Sequence, residues 1–313
     1  MKNLFARGLV LCVVFAASAA DAKNGFDLSG ATIPADEILR GGPPRDGIPS
    51  IDRPKFAAVE DAGFMREEDL VLGVAADGIA RAYPIKILNW HEIVNDEIGG
   101  APVAVTFCPL CGSGVVFRAE AADGRRLQFG VSGLLYNSDV LLYDRQTESL
   151  WSQLLRRGVS GEYAGAKLRT VPAEHTTWRD WRRRHPQTEI LTTDTGAARD
   201  YDADPYAGYD KSAATYFPAS PAAPREFHPK EWVLGIVSGD AAKAYPFSQL
   251  EKNGAAEVLD AVDGREILIH WNAEDRAARV EWTDGGEGGE SVRAFWFAWF
   301  AFHPQTEIFR AGE

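Results

Sequence analysis

Alternating apolar and polar positions mark a β-hairpin near the start of the chain. Residues 70–83 alternate on both sides of Asp77-Gly78, a dipeptide typical of hairpin turns. Residues 85–94 then carry apolar side chains at a spacing closer to that of a helix. A further apolar strand is predicted over residues 103–107. This part of the chain therefore predicts paired strands joined by a short helix.

The pattern occurs twice. Three segments recur in the same order: 71–88 (VLGVAADGIARAYPIKIL) as 233–250 (VLGIVSGDAAKAYPFSQL), 100–107 as 264–271, and the tryptophan-rich 178–190 as 296–308, each of the last pair ending in His-Pro-Gln-Thr-Glu-Ile. Ordered matches of this kind predict an internal duplication. We therefore expect an α+β, strand-dominated protein in which two related repeats pack as one compact body.

The first 22 residues are predicted to be a signal peptide. Lys2 and Arg7 precede an uncharged apolar run that is too short to span a bilayer comfortably, and Ala20-Asp-Ala22 fits a cleavage site. The mature protein is expected in the periplasm or otherwise exported, without stable membrane insertion after cleavage.

The remaining chain divides by its pattern into three parts. Residues 23–195 form the first repeat, which includes a long insert, and residues 231–313 form a second, degenerate repeat. Between them, residues 196–230 show no clear period and are predicted to be a linker. The net charge of −12 argues against nucleic-acid binding, so a metal ion or a small molecule is the expected partner.

Candidate chemistry is concentrated in Cys108-Pro-Leu-Cys111-Gly112, a predicted turn between two apolar strands. These are the only cysteines outside the signal peptide. The spacing is typical of a metal-binding knuckle, in which two thiolates face one ion and a following glycine allows the positive φ of a tight turn. Aligned on the preceding strand, the second repeat has Asn272 and Asp275 in their place, so the chemistry belongs to the first repeat.

His91 is the candidate third ligand, because it lies just before the cysteine strand and the second repeat has no histidine at the matching place. Thiolates with an imidazole suit zinc or copper better than calcium or magnesium. Neighbouring polar side chains are candidates to orient the ligands without binding the ion. They are Glu92 and Asp96 beside His91, and Ser132, Asn137 and Asp139 in the insert, whose loop is expected to approach the cysteine turn.

Three functions remain open at this point. The leading hypothesis is an exported metal-binding protein, with a redox metalloenzyme as its more specific form. In an oxidising compartment, Cys108 and Cys111 could instead form a disulfide that stiffens the turn of a binding or structural protein. A dithiol oxidoreductase is the third reading, although thioredoxin-type motifs begin a helix and a strand is predicted here after Gly112. The pattern assigns no catalytic residue.

Several of these motifs together resemble one family. The chain is similar to the bacterial and archaeal proteins grouped as domain of unknown function 3179, over roughly residues 40 to 310. The segments that carry the resemblance are Asn89-Trp-His-Glu-Ile-Val-Asn-Asp96, Val105-Thr-Phe-Cys-Pro-Leu-Cys-Gly-Ser113, residues 129–139 and residues 143–153. The resemblance implies export and brings no activity or cofactor with it.

Overall fold

Strands dominate the structure, as the alternating pattern predicts. The computed structural model describes residues 22–285 and 289–312, with 41% strand and 12% helix. The predicted signal peptide lies outside the described residues except for Ala22. Within the described residues, none of the helices is long and apolar enough to cross a membrane.

The first half contains sixteen of the strands that the structure describes. They are β1 (Ala22–Lys23), β2 (Phe26–Asp27), β3 (Leu39–Arg40), β4 (Phe56–Ala57), β5 (Leu70–Ala76), β6 (Ile79–Pro84), β7 (Ile93–Ile98), β8 (Ala101–Cys108), β9 (Ser113–Arg118), β10 (Phe129–Tyr136), β11 (Asp139–Asp144), β12 (Leu150–Ser152), β13 (Arg157–Ser160), β14 (Thr170–Val171), β15 (Ala173–Thr177) and β16 (Glu189–Leu191). Two helices accompany them, α1 (Ile85–His91) and α2 (Trp178–Arg184). The helical spacing over residues 85–94 thus covers α1 and the start of β7.

The second half has the same element order in shorter form. Its described elements are β17 (Trp232–Ser238), β18 (Ala241–Pro246), α3 (Phe247–Asn253), β19 (Glu257–Val262), β20 (Arg265–Asn272), β21 (Ala277–Trp282), β22 (Gly289–Phe295), α4 (Trp296–Phe302) and β23 (Glu307–Ile308). Residues 71–88 and 233–250 both form a hairpin that leads into a seven-residue helix. Between the halves, residues 196–231 are turns and irregular chain with one 3-10 helix, Tyr209–Lys211.

Matching strands also pair in matching order. One sheet of the first half runs β15-β5-β6-β16-β4 and its counterpart runs β22-β17-β18-β23, while β9-β8-β7 corresponds to β21-β20-β19. The insert, together with β3, forms the sheet β13-β12-β11-β10-β3, which is absent from the described part of the second half. The five larger sheets give a propeller-like arrangement. The other four sheets contact one another, and the insert sheet contacts β7 through β10.

A tryptophan packs on a glycine of the hairpin in each half. The ring of Trp181 lies so close to Gly73 that a Cβ added to this glycine would be 2.3 Å from it. In the same way, a Cβ added to Gly235 would be 2.2 Å from the ring of Trp299. Both indoles are buried. Each indole nitrogen donates to a threonine seven residues further on, beyond the end of the helix: Thr188 at 2.9 Å and Thr306 at 3.0 Å. His185 and His303, which directly follow α2 and α4, pack against the two indoles in tilted geometry, with ring centroids 4.0 and 4.1 Å apart.

The halves contact each other reciprocally. The backbone N–H of Phe295, the residue before α4, donates to the carbonyl of Cys111 at 2.8 Å. In the opposite direction, the hydroxyl of Thr177, the residue before α2, donates to Asp275 Oδ1 at 2.6 Å. Each half therefore docks its strand-connecting turn onto the start of the other half's tryptophan helix, and this contact places the cysteine turn of the first half against the second half.

Candidate metal centre

The cysteine turn is a tight connection between two buried strands. Cys108 ends β8 and pairs with Ser113, the first residue of β9. Gly112 has a φ of +62°, and a Cβ added to it would lie 2.5 Å from the indole of Trp232. Only glycine satisfies both the left-handed backbone and this close approach. The turn therefore keeps its shape because of Gly112, and it faces both thiols inward.

A carboxylate from the insert joins the two thiols. Donor atoms of Cys108, Cys111 and Asp139 all lie within 4.8 Å of one another. The three residues are fully buried, and both cysteines are free. Asp139 begins β11, directly after the turn Asn137-Ser138, in which both residues have positive φ. The insert loop that the sequence pattern singles out thus reaches the cysteine turn, and the Cys108 Sγ lies 3.6 Å from the carbonyl oxygen of Ser138.

Only one of the two carboxylate oxygens of Asp139 has hydrogen-bond partners among the described residues. Its Oδ2 accepts from the backbone N–H of Leu154 at 3.0 Å and from the Ser152 hydroxyl at 3.4 Å. Its Oδ1 is buried and has no hydrogen-bond partner among the described residues. Burial raises the pKa of the Asp139 carboxyl to about 7, against the hydrogen bond from Leu154, which lowers it. An unpaired buried acceptor is costly, so this oxygen is suited to a cation or a donor.

A second buried carboxyl lies close by. Glu92 follows α1 with a φ of +58° and is 6% exposed. Burial, and then the charge of Asp139, raise the pKa of Glu92 to about 8. Two carboxyl groups this close do not readily ionise together unless a cation is present. Burial likewise raises the pKa of the Cys111 thiol well above its ordinary value.

Residues 196–231 close the site from outside. The Ser138 hydroxyl donates to the carbonyl of Phe217 at 2.7 Å, and Asn137 exchanges hydrogen bonds with the backbone of Ser220, both at 3.0 Å. Tyr209 is buried beside the cysteines, and its hydroxyl has no hydrogen-bond partner among the described residues. The segment predicted as a linker is therefore a strap that shields the cysteine turn from solvent.

A buried lysine anchors the end of this strap. Lys230 Nζ donates to the carbonyls of Ser212 and Ala214 at 3.1 and 2.8 Å, and it lies 3.7 Å from the ring centroid of Tyr209. Burial lowers the pKa of Lys230 to about 8, although Asp210 and Cys111 raise it. Tyr209 and Lys230 were not identified from the sequence. The aperiodic segment around them carries no signal that distinguishes them from its other aromatic and basic residues.

The structure does not bring His91 into the donor cluster. Its Nδ1 lies 2.7 Å from the carbonyl oxygen of Pro49, and its Nε2 lies 2.7 Å from the hydroxyl of Tyr201. Both ring nitrogens are therefore engaged in hydrogen bonds, and the side chain is buried. Asp139, expected only to orient a ligand, lies within the cluster instead.

The other candidate orienting residues serve the fold. Asp96 binds Arg81 at 2.7 Å and the hydroxyl of Tyr83 at 2.6 Å, and the second half repeats this group with Asp260, Lys243 and Tyr245. Ser132 donates to the carbonyl of Leu141 and accepts from the N–H of Leu134, which stabilises the bulge in β10. Asn137 holds the strap, as described above. Glu92 alone keeps a place next to the cluster.

Comparison with known proteins gives one match. No curated protein and no solved structure matches the chain. The family model described as "Protein of unknown function (DUF3179)" matches residues 45–287, which include the cysteine turn, the insert, the strap and most of the second half. With more than half of its length matched by this model, the chain belongs to the DUF3179 family.

Proposed function

We propose that this chain is an exported metal-binding protein that holds a zinc or copper ion between Cys108, Cys111 and Asp139. The observation that carries the proposal is the convergence of three buried donor atoms within 4.8 Å, one of which, Asp139 Oδ1, lacks a partner among the described residues. Around a tetrahedral ion with bonds of about 2.0–2.3 Å, ligand atoms lie about 3.5–3.8 Å apart. The three side chains need only small rotations to reach that spacing.

The donor set decides which ions fit. Two thiolates select softer metals, and a single carboxylate is too few oxygens for calcium or magnesium. Structural zinc sites normally have four protein ligands, whereas catalytic sites keep one position open. Three donors leave such a position here, which favours a ligand-binding or catalytic site, including a redox metalloenzyme, over a purely structural one. The strap, together with Trp232 against Gly112, would keep bulk water away from this position.

Metal content of the purified protein tests the proposal. We expect about one equivalent in wild type and almost none in Cys108→Ser, because a neutral hydroxyl is a far poorer ligand than a thiolate. Asp139→Asn should lower the metal affinity by at least about 10–100-fold, which is the usual cost of losing a residue that only orients a ligand. Asp144→Asn is the matched control, since Asp144 is equally buried at the other end of β11 and binds Thr147 and Trp151 instead of the thiols.

Equal metal content in wild type and Cys108→Ser would refute the site. In that case the disulfide hypothesis becomes the better account. Titration of free thiols under denaturing conditions then decides it, because a disulfide leaves Cys108 and Cys111 unreactive until reduction. A dithiol oxidoreductase is less well supported, since burial raises the pKa of Cys111 and thereby disfavours the reactive thiolate.

We infer that the two halves are related repeats that arose by duplication. Support comes from the equal order of elements and sheets, the two glycine-tryptophan contacts, and the reciprocal docking through Phe295 and Thr177. Export rests on the apolar N-terminus and its cleavage site. N-terminal sequencing of protein from the periplasmic fraction tests export, and a chain that retains Met1 in the cytoplasmic fraction would contradict it.

A further inference from the structure

A second, separate cavity lies between the two halves of the chain. It has a volume of about 790 Å³ and is lined by residues of β5, β9, β15, β21 and β22, so that both halves contribute to its wall. Gly114 of β9, two residues after the cysteine turn, is part of that wall. Trp232 separates the two sites, because it contacts Gly112 on one side and Arg293 on the other.

This cavity carries excess positive charge in an acidic protein. The charged residues in its wall are Arg118, Arg169, Arg279, Arg293, Glu174 and Glu290. Both glutamates are neutralised from outside the wall, Glu290 by Arg156 and Glu174 by Arg184 at 2.6 Å. Of the arginines, Arg118 pairs with Asp77 through one nitrogen, while its Nη1 is buried without a hydrogen-bond partner among the described residues. A net charge of −12 over the whole chain makes this local excess notable.

Arg293 is the centre of the positive charge. It is 8% exposed, and no carboxylate of the described residues forms an ion pair with it. Its Nη1 reaches only the carbonyl oxygen of His175 at 3.5 Å, and its Nε has no partner in the part of the chain that the structure describes. The guanidinium lies 4.0 Å from the ring centroid of Trp232. Burial of a charge without an anion is strongly unfavourable, and burial indeed lowers the pKa of Arg293.

His175 adds an unpaired donor beside it. The side chain is 6% exposed, and neither ring nitrogen has a hydrogen-bond partner among the described residues. Phe107 and Trp232 hold the ring edge-on, with centroids 5.9 and 5.8 Å away. Burial, and then the charge of Arg293, lower the pKa of His175 well below its ordinary value, so the neutral ring offers one N–H. Packing alone would be served better by a phenylalanine.

We propose that this cavity binds a small organic anion, whose oxyanion group pairs with Arg293 and His175. Guanidinium and imidazole N–H groups together suit a carboxylate or a phosphate. The wall also contains apolar side chains such as Trp181 and Val292 and the small residues of β5, which fit the body of such a molecule. This inference does not depend on the metal site.

Calorimetric titration of the purified protein in Tris chloride tests the proposal, with succinate and inorganic phosphate as probes. We expect saturable binding of at least one probe with one site per chain. Arg293→Gln should weaken it at least about tenfold, because a hydrogen-bonded charge pair is lost. His175→Phe should weaken it several-fold. Arg126→Gln is the matched control, because this substitution removes the same charge at a residue that lies outside the cavity and pairs with Glu97.

The outcomes separate clearly. Binding of one probe alone identifies the preferred oxyanion, and dependence on Arg293 and His175 supports the site. No saturable binding of either probe at millimolar concentration, or equal affinity in Arg293→Gln and Arg126→Gln, would overturn it. If Arg293→Gln does not fold, His175→Phe decides, because it keeps the ring packing and removes no existing hydrogen bond. Cys108→Ser should retain anion binding, so the anion site and the metal site fail independently.

Discussion

Replacement of Gly73 by alanine should destabilise the protein through a single contact. The added Cβ would lie 2.3–2.5 Å from three atoms of the Trp181 indole, whereas ordinary carbon contacts begin near 3.5 Å. The indole must therefore retreat by about 1 Å. It has little space to do so, because His185 packs against it and its nitrogen is bound to Thr188.

The magnitude follows from these contacts. Overpacking of a buried site costs about 1–3 kcal/mol, and loss or distortion of the indole hydrogen bond adds about 1 kcal/mol. We expect Gly73→Ala to lower the free energy of unfolding by roughly 2–4 kcal/mol. Gly235→Ala should do the same in the second half, because its Cβ would lie 2.2 Å from Trp299. Gly63→Ala is the control, since its Cβ would meet nothing within 4 Å and its φ is not positive.

Urea unfolding followed by far-UV circular dichroism measures these differences. Gly63→Ala should be neutral or slightly stabilising, by up to about 1 kcal/mol, because alanine restricts the unfolded chain. A loss below about 1 kcal/mol in Gly73→Ala would refute the packing argument. A large loss at Gly73 with none at Gly235 would count against the equivalence of the two halves.

Three further outcomes are expected. His91→Gln should leave the metal content unchanged. It should lower the free energy of unfolding by about 1–2 kcal/mol, because it disturbs the contacts with Pro49 and Tyr201. Loss of the metal would restore His91 as a ligand. Burial lowers the pKa of His303 to about 4, so the free energy of unfolding of wild type should fall as the pH is lowered from 6.5 to 4. In urea unfolding, His303→Phe should lose up to about 3 kcal/mol less over that range, because it has no imidazole to protonate. Equal dependence of the unfolding free energy on pH in the two proteins would contradict this. Asn137→Ala should speed limited proteolysis within residues 196–230, because it frees the backbone of Ser220; an unchanged rate would show that Asn137 does not hold the strap.

Sequence pattern predicts the strands and the hairpins well, for physical reasons that are local. The Asp77-Gly78 turn and its flanking alternation fix a hairpin without reference to the rest of the chain. Proximity of the insert to the cysteine turn could also be inferred, because only the first half has both. Coarse architecture of this kind depends on periodicity, which the sequence displays directly.

The identity of the third donor could not be read in the same way. His91 is close to Cys108 along the chain, but Glu92 takes a positive φ at the end of α1, and the imidazole lies against Pro49 and Tyr201. Asp139 comes from a different sheet and reaches the cluster through tertiary packing. The strap was equally hidden, since side chains such as Tyr209 and Lys230 acquire their partners only when distant segments meet.

The docking contact explains how one half could acquire a buried pair of thiols while the other did not. In the second half, Asp275 uses its carboxylate for docking: it accepts from Thr177 and Arg179 of the first half and from Asn272 beside it. In the first half, Cys111 makes the corresponding contact through its backbone carbonyl, which accepts from Phe295. Any side chain at position 111 preserves that hydrogen bond. On the proposed duplication, the first turn was therefore free to place thiols toward Asp139, whereas a cysteine at position 275 would remove the ion pair with Arg179 and weaken the contact between the halves.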